Sequence, residues 1–155
     1  SLGKSLGVPG LRLGFLYTSC PHLTDFLRER LPIWNSNSLA EHFLELILKH
    51  RDALEASFKR VASERERLAR TLGETPGIEE VFPGGGNFLL VRHRGPGIVS
   101  PLLERGFLLK DVSQKLGDGR SYLRVGVRSE SDNRAFVRHL TEVLSDRPSV
   151  TETLT

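Results

Sequence analysis

Disulfides cannot shape this chain, because Cys20 is the one cysteine among its 155 residues, and a lone thiol fits a reducing compartment. No signal-peptide pattern opens the sequence, and no apolar run approaches the roughly 20 residues that a spanning helix needs. The expectation is a soluble cytoplasmic protein with no membrane contact. His22, His42, His50, His93 and His139 show no ligand spacing such as H-E-x-x-H, and no acidic pair suggests a metal centre, so no metal is expected. A basic stripe is missing as well. Lys and Arg exceed Asp and Glu by only 22 to 19, spread along the chain, which argues against nucleic acid and leaves anionic small molecules as partners. Methionine is absent, and residue 1 already lies inside the most chemically suggestive stretch, so a fragment of a longer protein is expected.

What is present is an ordinary globular balance, 38% hydrophobic and 26% charged, enough for a core. Leu11 to Thr18 reads as a short strand, and Pro21 opens a helix reaching about Arg30. The breaker-rich segment 31–38 is a joint, in which Trp34 and Asn35 are expected to pack. Apolar residues are dense from Leu39 to Leu48, which predicts a largely buried helix. Leu54, Phe58, Val61, Leu68 and Leu72 recur at helical spacing in a longer amphipathic helix that Gly73 is placed to stop. The run Ser63-Glu64-Arg65-Glu66-Arg67 is its solvated, ion-paired face. Strand signals follow at 78–82, 87–91, 107–110 and 122–127, with a helix near 98–105. Ser129 and Asp132 form a capping-box pattern that opens a last helix, 133–144. The economical arrangement is a small mixed sheet with helices on one face. The polar tail, 146–155, lacks periodicity and is expected to be disordered.

Chemistry concentrates in the first fourteen residues, where Lys4 precedes Arg12 by eight positions among Gly3, Gly7, Gly10 and Gly14. A lysine that condenses with an aldehyde, followed by an arginine fixed beside a phosphate, is what a pyridoxal phosphate site needs. A competing reading is a truncated phosphate-binding loop ending in Gly3-Lys4-Ser5. It requires a helix directly after Ser5, which Pro9 and Gly10 would interrupt. A third reading is a glycine-rich surface loop with an ordinary lysine. Further along, Ser121-Tyr122-Leu123-Arg124-Val125-Gly126-Val127-Arg128 places Arg124 and Arg128 at even parity, on one face of a strand that stays regular that far. A guanidinium there can grip a carboxylate through two parallel hydrogen bonds. The glycines of Gly84-Gly85-Gly86-Asn87 are read as a turn, since no helix follows them.

The segment Ser1-Leu2-Gly3-Lys4 followed by Pro9-Gly10-Leu11-Arg12-Leu13-Gly14 resembles the active-site lysine segment of the fold type I pyridoxal phosphate enzymes. The likeness is to the histidinol-phosphate aminotransferases and threonine-phosphate decarboxylases in particular. The resemblance implies that Lys4 is the Schiff-base lysine and general base, Arg12 the phosphate arginine, and Ser1 a phosphate-contacting hydroxyl. Gly3 stands where that family usually has serine. Leu123-Arg124-Val125 resembles the segment whose arginine binds the substrate carboxylate. Leu109-Lys110-Asp111 corresponds to one whose arginine contacts the distal phosphate, with Lys110 keeping the charge but not the fork. Gly86-Asn87-Phe88-Leu89 resembles the family's Ala-Asn-Phe-Leu strand entry.

The fold implied is α/β, the C-terminal portion of a fold type I transferase. Residues 1–32 would be a remnant of the large cofactor-binding domain and 33–145 an α+β small domain. The implied activity is a homodimeric aminotransferase taking amino-acid or amino-phosphate donors and 2-oxo acids, with the fragment inactive alone. Decarboxylation and a non-catalytic interaction module are the alternatives. The residues expected upstream would supply an aspartate for the pyridine nitrogen and an aromatic over the ring.

Overall fold

A computed structural model describes residues 1–146. The tail expected at 146–155 lies outside them except for Asp146, which ends the last helix. Two compact units divide the chain, Ser1–Ala56 and the residues from Ser57 onward. Their boundary falls inside a long helix.

The first unit begins with a single helical turn, α1 (Leu2–Ser5), and a 3-10 turn over Pro9–Leu11. Helix α2 (Pro21–Arg28) starts on a proline, whose fixed φ and missing N–H suit the first helical position. Helix α3 (Ser38–Lys49) is capped by Asn37, whose Oδ1 accepts from the Ala40 N–H at 2.9 Å. The Asn37 amide also donates to the Leu11 carbonyl at 3.0 Å, tying the helix start to the opening loop. Helix α4 (Arg51–Gly73) follows and crosses into the second unit.

Two expectations fail in this unit. No strand forms over Leu11 to Thr18 among the described residues: Leu11 closes a 3-10 turn, Arg12 is left-handed, and from Leu13 onward one group, the Leu13 carbonyl, meets a backbone donor, whereas a strand needs a second backbone along its length. Phe15, Leu16 and Tyr17 stand 75, 67 and 87% exposed. Helix α3 buries only Ala40, and Leu39 and Leu48 face outward, so dense apolar sequence there does not mean a covered helix.

The second unit holds four strands, β1 (Ile78–Phe82), β2 (Phe88–His93), β3 (Lys110–Asp111) and β4 (Ser121–Gly126), in the order β1-β2-β4-β3. All three pairings are antiparallel, where a mixed sheet was expected. Neither β1–β2 nor β3–β4 needs a crossover, and the longer connection carries α5 (Val99–Glu104) from β2 to the far edge strand. A short turn, α6 (Ser113–Leu116), and the last helix, α7 (Glu130–Ser145), complete the unit.

Alternation along β2 and β4 sends Leu89, Val91, Leu123 and Val125 to one side, where they pack with Leu68 and Leu72 of α4, Leu102 of α5, and Phe136, Leu140 and Val143 of α7. Each of these side chains contributes about 1.5–3 kcal/mol through burial. Helix α7 begins three residues before the expected 133, directly after the anticipated cap, with the Ser129 hydroxyl accepting from the Asp132 N–H at 3.2 Å. The Asp132 carboxylate turns instead to Arg128. The charged face of α4 is ion-paired as anticipated: Arg67 meets Glu130 of α7 at 2.8 Å.

Candidate functional site

Backbone hydrogen bonds close the opening residues of the first unit into a compact loop. The Val8 N–H donates to the Gly3 carbonyl at 2.7 Å, and the Gly3 N–H to the Leu13 carbonyl at 3.1 Å. That second bond joins the immediate neighbours of Lys4 and Arg12, so the ring closure brings the two cationic residues to the same end of the loop. Gly3 is buried, and a Cβ on it would meet the Val8 carbonyl oxygen at 3.1 Å and the Pro9 Cα at 3.3 Å. A larger residue at this position would require the Val8–Pro9 backbone to give by a few tenths of an ångström, so glycine is the residue the loop takes without adjustment.

Arg12 has φ 56°, and among the described residues it is the one non-glycine with positive φ. A bulky residue held in the left-handed region is strained by about 1–3 kcal/mol, a cost that clusters at ligand clamps. Both Lys4 and Arg12 are exposed, and among the described residues neither forms an ion pair. The Ser1 hydroxyl reaches the Leu13 carbonyl at 3.5 Å, at the limit for a hydrogen bond. One closed loop thus presents an amine, a guanidinium and a hydroxyl.

In the second unit the helices cover one side of the sheet. The opposite side carries Phe88, Leu90, Tyr122 and Arg124. Lys110 of β3 stands directly across from Arg124 of β4, which makes their side chains cross-strand neighbours on this side. Both are exposed, and no carboxylate among the described residues pairs with either. Like charges directly opposite are unfavourable unless something neutralises them.

The short edge strand that delivers Lys110 is pinned by Asp111. Its carboxylate accepts from both the hydroxyl (2.6 Å) and the backbone N–H (2.8 Å) of Ser113, and the Ser113 hydroxyl in turn accepts from the Tyr122 N–H of β4 at 2.8 Å. The two bonds from Ser113 hold the Asp111 carboxyl below its ordinary range, the hydroxyl being the larger cause. Beside it, the Tyr122 hydroxyl donates to Asp118 at 2.6 Å and depresses that carboxyl likewise.

Arg128 lies beyond the end of β4 and pairs with Asp132 at 3.3 Å, so it does not share the strand face with Arg124. Trp34 is 90% exposed, and the packing expected of it is not made among the described residues. Phe88, noted in the sequence only as part of a strand entry, lies with its ring under the Arg124 guanidinium at 4.1 Å. The Asp111-Ser113-Tyr122 tie was missed, because it needs the β3–β4 register.

No group of three or more His, Cys, Asp or Glu among the described residues could hold a metal ion. No helix among them is long and apolar enough to cross a membrane.

Residues 1–140 match the family model for aminotransferase class I and II. The chain belongs to that family, whose members depend on pyridoxal 5'-phosphate. It is 35% identical over 150 residues to the CMP-5'-(3-aminopropyl)phosphonate synthase of Streptomyces rubellomurinus, covering 93% of this chain and 24% of that protein. Over 140 residues it is 33% identical to histidinol-phosphate aminotransferase 2 of Nitrosococcus oceani, covering 88% of this chain and 38% of that one. The crystal structure of histidinol-phosphate aminotransferase from Clostridium acetobutylicum superposes with a TM-score of 0.84 at 25% identity, over 94% of this chain and 45% of that one. The chain thus spans less than half the length of the curated relatives it matches.

Proposed function

We propose that this chain carries the lysine segment and the substrate-anion surface of a pyridoxal phosphate-dependent aminotransferase whose amine substrate bears a phosphate or a related anion. The observation that carries the reading is the closed opening loop, with Lys4 and a strained Arg12 on either side of one hydrogen bond. The residues present suit the cofactor: an exposed lysine amine and, among the described residues, an exposed guanidinium with no ion-pair partner, held at one end of a loop closed around Gly3. Pyridoxal phosphate, when bound, supplies the electron sink that loosens the bonds at the α-carbon of an amine.

In this reading Lys4 Nζ would hold the cofactor, and the same amine is the base that would take the proton from the substrate Cα. Arg12 grips the cofactor phosphate with its fork of N–H donors, and the Ser1 hydroxyl adds one more. Arg124 takes the substrate carboxylate or phosphate by two parallel bonds. Lys110, directly opposite, adds charge to the same anion without adding direction. The names of the relatives support an anionic amine, since a phosphate or a phosphonate appears in each. Functionally, residues 1–32 belong with the cofactor-binding part and 33–145 with the small domain. The intact enzyme is a cytoplasmic homodimer acting on a small amino-acid or amino-phosphate donor and a 2-oxo acid.

The test uses the full-length polypeptide that carries this chain. Lys4→Ala should lower turnover by about 10²- to 10⁴-fold, the scale of a lost proton-transfer group. Arg124→Ala should raise KM about 10- to 100-fold, with kcat much less affected. Product analysis that finds a keto product and a new amine supports transfer; release of carbon dioxide in stoichiometric yield would replace transamination by decarboxylation. Undiminished turnover in Lys4→Ala would overturn the reading.

A further inference from the structure

The anion surface formed by Lys110 and Arg124 has an aromatic floor whose placement follows from three residues. Phe88 opens β2 directly opposite Gly126 of β4, and Arg124 is two residues from that glycine on the same face. A diagonal pair of this kind is normally within reach only of long or aromatic side chains. Gly126 has no side chain, and a Cβ built on it would meet nothing within 4 Å, so the space across from Phe88 is open and its ring can lean toward Arg124. The guanidinium carbon lies 4.1 Å from the ring centroid, well inside the range of cation–π attraction.

A third residue lies against an edge of the ring. A Cβ on Gly86 would come within 3.3 Å of Phe88 Cε1 and 3.6 Å of Cδ1. The backbone there is also fixed, since the Gly86 carbonyl accepts from Arg65 of α4 at 3.1 Å. Phe88 is 38% exposed, although the core on the other side of the sheet has no use for it.

We propose that Phe88 is a positioning residue for the substrate anion: its ring, seated between Gly86 and the space above Gly126, holds the Arg124 guanidinium flat so that its fork faces the anion beside Lys110. The inference rests on the assignment of Arg124 to anion binding. Without the ring, the arginine keeps its charge but loses its preferred plane, and affinity falls by the orientation lost rather than by the charge.

The experiment is an NMR titration of this chain with inorganic phosphate, following the Arg124 Nε–Hε resonance in wild type, Phe88→Leu and Phe88→Trp, and the Lys110 side-chain resonances in Arg124→Ala and in Phe88→Leu combined with Arg124→Ala. In the wild type the Arg124 side-chain protons should show a ring-current shift that Phe88→Leu abolishes and Phe88→Trp retains. Phosphate should bind about two- to five-fold more weakly to Phe88→Leu and with at least wild-type strength to Phe88→Trp. In the Arg124→Ala background, Phe88→Leu should make no further difference, as read at Lys110. Equal phosphate affinity in wild type and Phe88→Leu, or an equal loss with and without Arg124, overturns the positioning role. A wild-type chain whose Arg124 resonance ignores phosphate overturns the anion-binding assignment itself, which is a separate and recognisable failure.

Discussion

The two units of this chain handle their apolar residues in opposite ways. From Ser57 onward, Leu72, Leu89, Ile98, Leu102, Leu123 and Leu140 are all 2% exposed or less, shared between a sheet and three helices. Before that point, Phe15, Tyr17, Ile33, Trp34, Leu39 and Leu48 all stand more than two-thirds exposed. Both units contain polar groups suited to binding, but they are held differently. In the second unit strand register places Lys110 and Arg124 on a rigid sheet. In the first, a ring of backbone hydrogen bonds places Lys4 and Arg12. A sheet backed by a core can fix the placement of two side chains by itself, whereas the opening loop is closed locally, by the backbone bonds of Gly3 and beside a left-handed Arg12.

Substitutions ranked by size can sharpen this contrast. Leu123→Ala, in the second unit's core, should cost about 2–5 kcal/mol in urea denaturation, because it leaves a cavity between sheet and helices. Ser129→Ala should cost about 1 kcal/mol by removing the cap of α7, also in the second unit. Lys110→Glu should stabilise by a few tenths of a kcal/mol, replacing a like-charge neighbour of Arg124 with an opposite one, while abolishing phosphate binding at that surface. Smallest of all, Trp34→Ala in the first unit should change stability by less than about 0.5 kcal/mol. If Trp34→Ala cost as much as Leu123→Ala, the contrast between the units would collapse.

A pH titration examines the tie that holds Lys110 in place. The folded Asp111 carboxyl is depressed by Ser113, so its ionised form is favoured by folding. The stability from this tie is present above the unfolded carboxyl range, about pH 4, and is lost as pH falls through the lower folded value. Ser113→Ala should bring the Asp111 carbon resonance back toward an ordinary carboxyl titration. An unchanged titration would mean that Ser113 does not set it.

What could be read in the sequence was what depends on local pattern. Alternation located β1, β2 and β4 to within a residue or two, and Ser129 announced the start of α7. The family was recognisable from the residues of the opening segment. What could not be read depended on partners. Leu11 to Thr18 alternates like a strand but meets no second strand among the described residues, and the leucines of α3 are dense yet uncovered. That Lys110 faces Arg124, and that Phe88 underlies it, follows from register and from the emptiness of Gly126, which no spacing rule reveals. The left-handed Arg12 is equally invisible, since nothing in an arginine's chemistry favours positive φ.

The proposed role of the opening loop is to present Lys4 to pyridoxal phosphate. Its most direct test is borohydride reduction of the full-length polypeptide with stoichiometric pyridoxal phosphate, followed by peptide mass mapping. One reduced adduct is expected, on Lys4, lost in Lys4→Ala and weakened in Arg12→Ala. Labelling spread over Lys49, Lys59, Lys110 and Lys115, or undiminished when Lys4 is replaced, would contradict it.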